Sequence, residues 1–567
     1  MDKRFFVAIV LAIGVLLITP RIFPPAPAPI VPAADSSAAA VPTTVVAPDQ
    51  PSAAAPASPA TATRPGATVP PFSFAAETAT VVTPRATFRF SSAGGSLIGA
   101  ELAEYTGLPA RNKKVELARR GSALVSYKVI VGTDTTDLKN VPLRADTSAL
   151  ATSGTVRYTG TTPGATIALQ YTFAPDSYLV RVAGTVKSTG ATPAQLAVML
   201  PQGLASFEAD TLDDHANLAY VVKRVPDDAE SWKFAKIAKT GLEAAAGPFS
   251  WVASKNKYFL VAVLAPPKGS FSGPAIFTAP TIQGKMPSVA TAEVVIAPGA
   301  DGSFAFEVYA GPQQWRRLLA LGRDLEHANP YGGFMRAVVQ PFATLVMRIL
   351  LWMHDVFKLN YGWVLVIFGV AVRLILWPLN QSAMRSSLRM QRIQPELQAL
   401  QTKYKTNPEK MHTEYMKLLQ SHGMTPFSQF SGCLPMLIPM PVLFALFFVF
   451  QNTIEFRGVS FLWLADISLK DPYYILPVVM GLSMFLLSWI GMRNAPPNPQ
   501  AKMLGYMMPG MMVVLFLRFP AGLNLYYAVQ NFAALPQQWL IAKERASNST
   551  AVTPPPAEKE RPKKLNP

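Results

Sequence analysis

The chain has 567 residues, half of them hydrophobic and only 15% charged, with 51 Lys and Arg against 34 Asp and Glu for a formal net charge of +17. Its mean hydropathy is positive, and the apolar residues crowd into the first twenty positions and the region after about Phe334. That excludes an ordinary soluble protein of this size and describes a membrane protein with one large water-exposed domain.

No nucleic-acid-binding signature accompanies the basic charge, so no DNA partner is expected. There is no G-x-x-x-x-G-K-[ST] loop to cradle a nucleotide, and Cys433 stands alone, so no intramolecular disulfide can form.

Residues 1–20 begin with Asp2-Lys3-Arg4 ahead of the apolar run Phe5–Thr19, and the stretch after it, Pro20-Arg-Ile-Phe-Pro-Pro25, offers no convincing small-x-small cleavage site nearby. An uncleaved signal anchor with a cytoplasmic N-terminus is expected. Residues 21–72 are dominated by Pro, Ala, Ser and Thr, a composition that buries too little apolar surface to fold and reads as a disordered tether. Over 73–325 hydrophobicity alternates with period two between turns rich in Gly, Pro and Asp. Examples are Ala86–Ser91, Ser177–Ala183, Ala292–Ile296 and Gly302–Tyr309. This spacing predicts a large antiparallel β-sandwich.

Residues 326–360 hold an apolar stretch interrupted by Arg336, Arg348 and His354, the pattern of an amphipathic helix lying in the membrane interface. Five spanning segments are predicted after it, at 361–379, 434–452, 472–490, 504–519 and 521–541, making six with the anchor. Pro477 and Pro509 fall inside two of them. Such kinks are tolerated where neighbouring helices satisfy the freed carbonyls. Residues 380–433 carry seven Lys/Arg against three Glu, Arg493 and Lys502 mark the 491–503 connection, and the 542–567 tail is basic. The positive-inside rule puts these segments and both termini in the cytoplasm and the sandwich on the opposite, periplasmic side.

Within 380–433, Met384, Leu388, Ile393, Leu397 and Leu400 recur at near-helical spacing, and Met411, Tyr415, Leu418 and Leu419 do so again after Asn407-Pro408. A helical hairpin on the cytoplasmic surface is predicted. Arg385, Arg389 and Arg392 share one face of its first helix, available to lipid phosphates or to a ribosome and its emerging chain.

The second span contains Arg373, and an arginine at that depth costs at least about 2.5–3.5 kcal/mol. No acidic residue lies in any predicted span, although the last bears Asn524, Gln530 and Asn531, and Glu455, Asp466 and Asp471 fall at the opposite membrane face. Snorkelling to the headgroups accounts for toleration. An arginine without a carboxylate partner also implies water around it, hence a hydrated cavity.

The order of elements, together with Val372-Arg373-Leu-Ile-Leu-Trp-Pro-Leu379, Gly432-Cys-Leu-Pro-Met-Leu-Ile-Pro-Met-Pro441, Asp471-Pro-Tyr-Tyr-Ile-Leu-Pro477 and Phe519-Pro-Ala-Gly-Leu-Asn-Leu-Tyr-Tyr527, closely resembles the YidC family of bacterial membrane protein insertases in its long Gram-negative form. The likeness is strong over about 330–545. It implies a polytopic α-helical inner-membrane protein of six spans, with a five-helix insertase core and an all-β periplasmic supersandwich of galactose-mutarotase type. The implied activity is insertion and folding of newly made membrane proteins, alone or with the Sec translocon, without cofactor, nucleotide hydrolysis or covalent chemistry. Expected partners are nascent membrane proteins, the Sec translocon, the ribosome and membrane lipids.

The resemblance also assigns a positively charged substrate groove, open to cytoplasm and lipid, to Arg373 and to Tyr526 and Tyr527. Gly369, Asn524, Gln530 and Asn531 are grouped with them. Gly369 departs from the hydroxyl residue common one turn before the arginine, and Arg518 from a common aromatic. Two rival classes fit the sequence less well. A carbohydrate-active enzyme would rest on Asp213-Asp214-His215, which reads as a solvated turn, and a solute transporter lacks the inverted repeats and multiple intramembrane charges of that class.

Overall fold

The computed structural model describes residues 75–108, 111–280, 287–329, 336–382, 407–422, 440–493 and 499–550, with scattered positions between 393 and 404. The expected signal anchor, the tether, Cys433 and the tail beyond residue 550 lie outside the described residues.

The region expected to be β-rich forms three antiparallel sheets of four, nine and six strands. All four quoted stretches belong to strands: Ala86–Ser91, Leu179–Ser188, Thr291–Ile296 and Ser303–Pro312. The alternation is the cause. Ala165–Phe173 buries Ala165, Ile167, Leu169 and Tyr171 and turns Thr166 and Gln170 to solvent, because successive strand side chains point to opposite faces. Phe259–Leu264 is buried at every position and lies in the interior of the nine-stranded sheet, where a continuous apolar run belongs.

The two larger sheets face one another across a shared core. The hydroxyls of Tyr127 and Tyr171, one from each sheet, bond at 2.7 Å. Tyr220 stacks on Phe277 across the same gap at 5.3 Å.

A short helix α1 (Thr211–Ala216) and a helix α2 (Trp315–Ala320) decorate this domain. The second half of the chain is helical: α3 (Arg336–Phe357), α4 (Tyr361–Ile375), α5 (Pro408–Ser421), α6 (Met440–Asn452), α7 (Ile475–Met492), α8 (Pro499–Phe516) and α9 (Ala521–Thr550). Their boundaries follow local chemistry. Asn360 accepts from the Gly362 N–H at 2.8 Å and caps α4. Asp471 accepts from Tyr473 and Leu476 at 3.0 and 2.7 Å, holding the entry to α7. Asn407 caps α5, with Pro408 at its first position where no N–H is needed.

Among the described residues α7 alone is long and apolar enough to cross a membrane by itself. The predicted segment 361–379 is interrupted: α4 stops at Ile375, and helix resumes over 377–382 around Pro378, which has no N–H to continue the ladder. Fifteen residues of α4 rise only about 22 Å, short of a roughly 30 Å hydrocarbon core. Helices α3 and α4 meet at 118°, so the amphipathic segment is a separate element lying across the bundle. A second core joins α3, α4, α6, α7 and α9. Ile393 and Leu397 pack with Leu419 of α5 in a small core of their own, which joins the two arms of the expected hairpin.

Candidate functional site

Arg373 lies twelve residues past the start of α4, about 18 Å along its axis at 1.5 Å per residue. Its side chain is half-buried. Nη2 donates to Gln537 Oε1 at 2.8 Å, and Gln537 Nε2 donates in turn to the Trp377 carbonyl at 3.0 Å. Arg373 Nε is buried with no hydrogen-bond partner among the described residues. Among the described residues no carboxylate pairs with this guanidinium. A neutral amide satisfies one donor and leaves the full charge in place, in a low-dielectric setting where charge acts at longer range.

Gly369, one turn earlier, lies where α4 meets α9. A Cβ built on it would stand 3.1 Å from Val529 Cγ1 and 3.5 Å from Tyr526 Cδ2. Close helix approach accounts for a glycine where a hydroxyl residue was expected. Tyr526 is 1% exposed, its ring 6.0 Å from Phe368, and its hydroxyl has no partner. Tyr527 lies edge-on to Phe516 at 5.2 Å.

The remaining amides divide. Asn524 is fully buried and donates to the Phe516 carbonyl at 3.2 Å, serving the open end of α8. Asn531 donates to Ser483 Oγ of α7 at 3.0 Å, and Gln530 is 6% exposed. The structure therefore gathers Gly369, Arg373, Tyr526 and Gln537, while Asn524 and Asn531 tie α9 to its neighbours. Arg518 is exposed. Arg385, Arg389 and Arg392 lie outside the described residues. Of the α8 methionines, Met503, Met507 and Met511 are exposed and Met512 packs on the helical core.

Gln537 escaped the sequence reading. The available signal was its place seven residues after Gln530, two helical turns along the same face.

The acidic residues of the 453–471 loop have other work. Asp466 accepts from Gly458 and Ser468 N–H at 2.9 and 2.8 Å, and Asp471 caps α7. This loop also seats the β domain. Arg457 Nε donates to both oxygens of Glu208 at 2.8 and 3.0 Å, and its Nη2 donates to the Thr106 carbonyl at 2.9 Å. Both side chains of the pair are 5% exposed. Arg111 reaches the Gly458 carbonyl at 3.0 Å and Tyr258 bonds Ser468 at 3.1 Å. The loop's other end accepts the first N–H groups of α9, from Ala521 and Gly522, at the Leu469 and Ile467 carbonyls.

The Asp213-Asp214-His215 cluster is no solvated turn. It sits in α1, with Asp214 1% exposed and accepting from the Lys257 N–H and Asn256 Nδ2, while Asp213 pairs with Lys257 at 2.7 Å. These carboxylates are committed to bracing the fold.

Fold and site together define a helical membrane-protein core with an amide-held arginine, carrying an antiparallel β-sandwich. Residues 78–345 match the YidC periplasmic domain family and residues 352–548 the 60Kd inner membrane protein family. The membrane protein insertase YidC of Citrifermentans bemidjiense is 32% identical over 561 residues, covering 96% of this chain and 99% of that protein. The insertase YidC of Anaeromyxobacter sp. strain Fw109-5 is 35% identical over 310 residues, 54% of each chain. The chain thus spans about half the length of that relative. A solved active YidC insertase, with its first transmembrane domain resolved, aligns at 20% identity over 82% of this chain and 92% of its own, with a TM-score of 0.34. The chain belongs to the YidC membrane protein insertase family.

Proposed function

We propose that this protein inserts newly made proteins into the bacterial inner membrane and helps them fold, through a hydrated, positively charged groove around Arg373 open to cytoplasm and lipid. The observation carrying this reading is that Arg373 is held by the neutral Gln537 and not by a carboxylate. A polar segment crossing unaided would strand its peptide and acidic groups in hydrocarbon at several kcal/mol each. A wet groove reaching part-way shortens that dry path, and an uncompensated guanidinium attracts acidic residues. The substrate's apolar stretch then leaves sideways into lipid, gaining about 25 cal/mol per Å² of apolar surface removed from water. No hydrolysis or covalent step is needed.

In this arrangement the chain crosses six times with both termini cytoplasmic and the sandwich periplasmic, consistent with the placement of basic residues. The cytoplasmic hairpin, its Arg385–Arg392 face and the basic tail receive the ribosome or emerging chain, and the Sec translocon shares part of the load. Gly369, Tyr526, Tyr527 and the α9 amides line or support the groove. The test is a photocrosslinker at position 373 in ribosome-bound insertion intermediates. Adducts to the nascent membrane segment are expected, and their absence while crosslinks form from lipid-facing positions of α7 would overturn the groove.

A further inference from the structure

Where the β domain meets the helical core lies a cavity of about 10 Å³, room for one water or one bare ion. Gln313, Glu326 and Asn329 line it from the segment after the last strand, and Asn452, Thr453 and Glu455 from the end of α6 and the loop beyond. Four of these side-chain oxygens, Glu326 Oε2, Asn329 Oδ1 and both of the Glu455 carboxylate, are hidden from solvent with no hydrogen-bond partner among the described residues. Glu455 is approached by its own N–H and that of Trp315, neither at ordinary hydrogen-bond geometry. Among the described residues no cation pairs with Glu326 or Glu455: Arg316 is bonded to Asp355, and Arg348 is set over the Trp315 ring.

The neighbours fix which atom of the Asn329 amide is orphaned. Gln313 Nε2 donates to the carbonyls of Asn256 and Phe259, each at 3.0 Å, so its Oε1 must accept the 2.6 Å bond from Asn329 Nδ2. Asn329, only 8% exposed, is therefore left with its oxygen and not its NH2. Likewise Asn452 commits its Nδ2 to the Phe448 carbonyl at 3.0 Å, and the Thr453 hydroxyl is directed at Met347 Sδ at 3.6 Å. Both keep an oxygen as acceptor. The lining thus offers oxygens and two carboxyl groups. A water molecule has two protons for these oxygens and no charge to set against the carboxylates. A bare hard cation meets all of them at once, and a site without room for retained waters suits calcium better than magnesium, which dehydrates reluctantly.

We infer that this cavity binds one divalent cation of the calcium type, held by the carboxylates of Glu326 and Glu455 and by the Asn329 oxygen, and that the ion ties the β domain to the end of α6. In chelator-treated protein the Glu455 carboxyl keeps a proton, which the incoming ion displaces.

Full-length protein in detergent is stripped with chelator and titrated at pH 7 with terbium, a calcium-sized ion whose luminescence is excited by a nearby indole. Trp315 lines the same cavity. One luminescent terbium per chain is expected, displaced by calcium and not by the same concentration of magnesium. Glu326→Gln and Glu455→Gln should each weaken terbium and calcium binding at least about tenfold, the lower bound for losing even an outer-shell partner of a metal. Asp324→Asn, at the neighbouring carboxylate that pairs with Lys223, should change it little. The competition between calcium and magnesium uses the parental protein alone and decides the matter if neither glutamine variant folds. No displaceable terbium, magnesium competing as well as calcium, parental affinity in either folded glutamine variant, or an equal loss in Asp324→Asn would each overturn the inference.

Discussion

Arg373 and Gln537 are joined across α4 and α9 by one hydrogen bond of 2.8 Å, an arginine answered by an amide. The pairing fixes the side chain without cancelling its charge. A carboxylate at the same position would do both, and Gln537→Glu therefore separates the two contributions. Insertion into proteoliposomes of substrates with acidic translocated tails should fall about tenfold in Gln537→Glu and in Arg373→Ala, with neutral-tailed substrates affected less. A tenfold rate change corresponds to about 1.4 kcal/mol, close to the lower end of the roughly 1.5–3 kcal/mol of a hydrogen bond to a charged group. Equal insertion of both substrate classes by either folded variant would show that the charge has no part in it.

Gly369 lies at a close approach of the same two helices. Serine adds a Cβ only 3.1 Å from a valine methyl, tighter than ordinary contact, so Gly369→Ser should fold with a small but measurable loss of stability and bring a hydroxyl near Tyr526. Gly369→Leu must push α9 away, an overpacking that costs about 1–3 kcal/mol. Thermal midpoints in detergent are the readout. A leucine variant as stable as the parent would mean that the helices are not held this closely.

Much of this was readable in the chain because periodicity and burial coincide. The strand at Ala165–Phe173 and the apolar run of α4 follow directly from which residues seek water. The depth and isolation of Arg373 were likewise visible, since they depend only on the absence of acidic residues from the apolar segments. What escaped the sequence reading depends on which faces meet in three dimensions. Gln537 looked like any polar residue near a helix end until α4 lay against it. Asp213 and Asp214 looked like a turn until Lys257 and Asn256, more than forty residues away, supplied their partners. The interruption after Ile375 follows from the missing N–H of Pro378, which the apolar content of 361–379 does not register.

The Arg457–Glu208 pair links the β domain to the 453–471 loop with both side chains 5% exposed. Burial pushes the Glu208 carboxyl up to about 7 while the Arg457 guanidinium pulls it back. Arg457→Met removes the cation bonded to it and should cost about 3–5 kcal/mol, the range for breaking a buried pair. Combining it with Glu208→Gln, which leaves no charge stranded, should recover part of the loss. Limited proteolysis would report loosening of the β domain in the single variant. An additive double variant would show that the two residues are not coupled.

Glu455 supplies a pH test. Its two carboxylate oxygens are hidden from solvent without a hydrogen bond of ordinary geometry, and burial raises its pKa from 4.5 to about 7, against backbone N–H groups and the nearby Arg316. The folded protein thus holds a proton that the unfolded chain releases near 4.5. This stabilisation is complete below the unfolded value and is lost as pH rises through about 7. Glu455→Gln keeps the shape and removes the titration. The variant should match the parent near pH 5 and exceed it at pH 8 by up to about 3 kcal/mol, since one pKa unit is worth about 1.36. Lys255, whose ammonium burial pushes down to about 7, contributes the opposite slope, being stabilising at high pH and losing that contribution as pH falls through about 7. It is present in both proteins, so it cancels in their difference. A variant-minus-parent difference in thermal stability that stays flat from pH 5 to 8 would mean that Glu455 titrates as an ordinary exposed carboxylate.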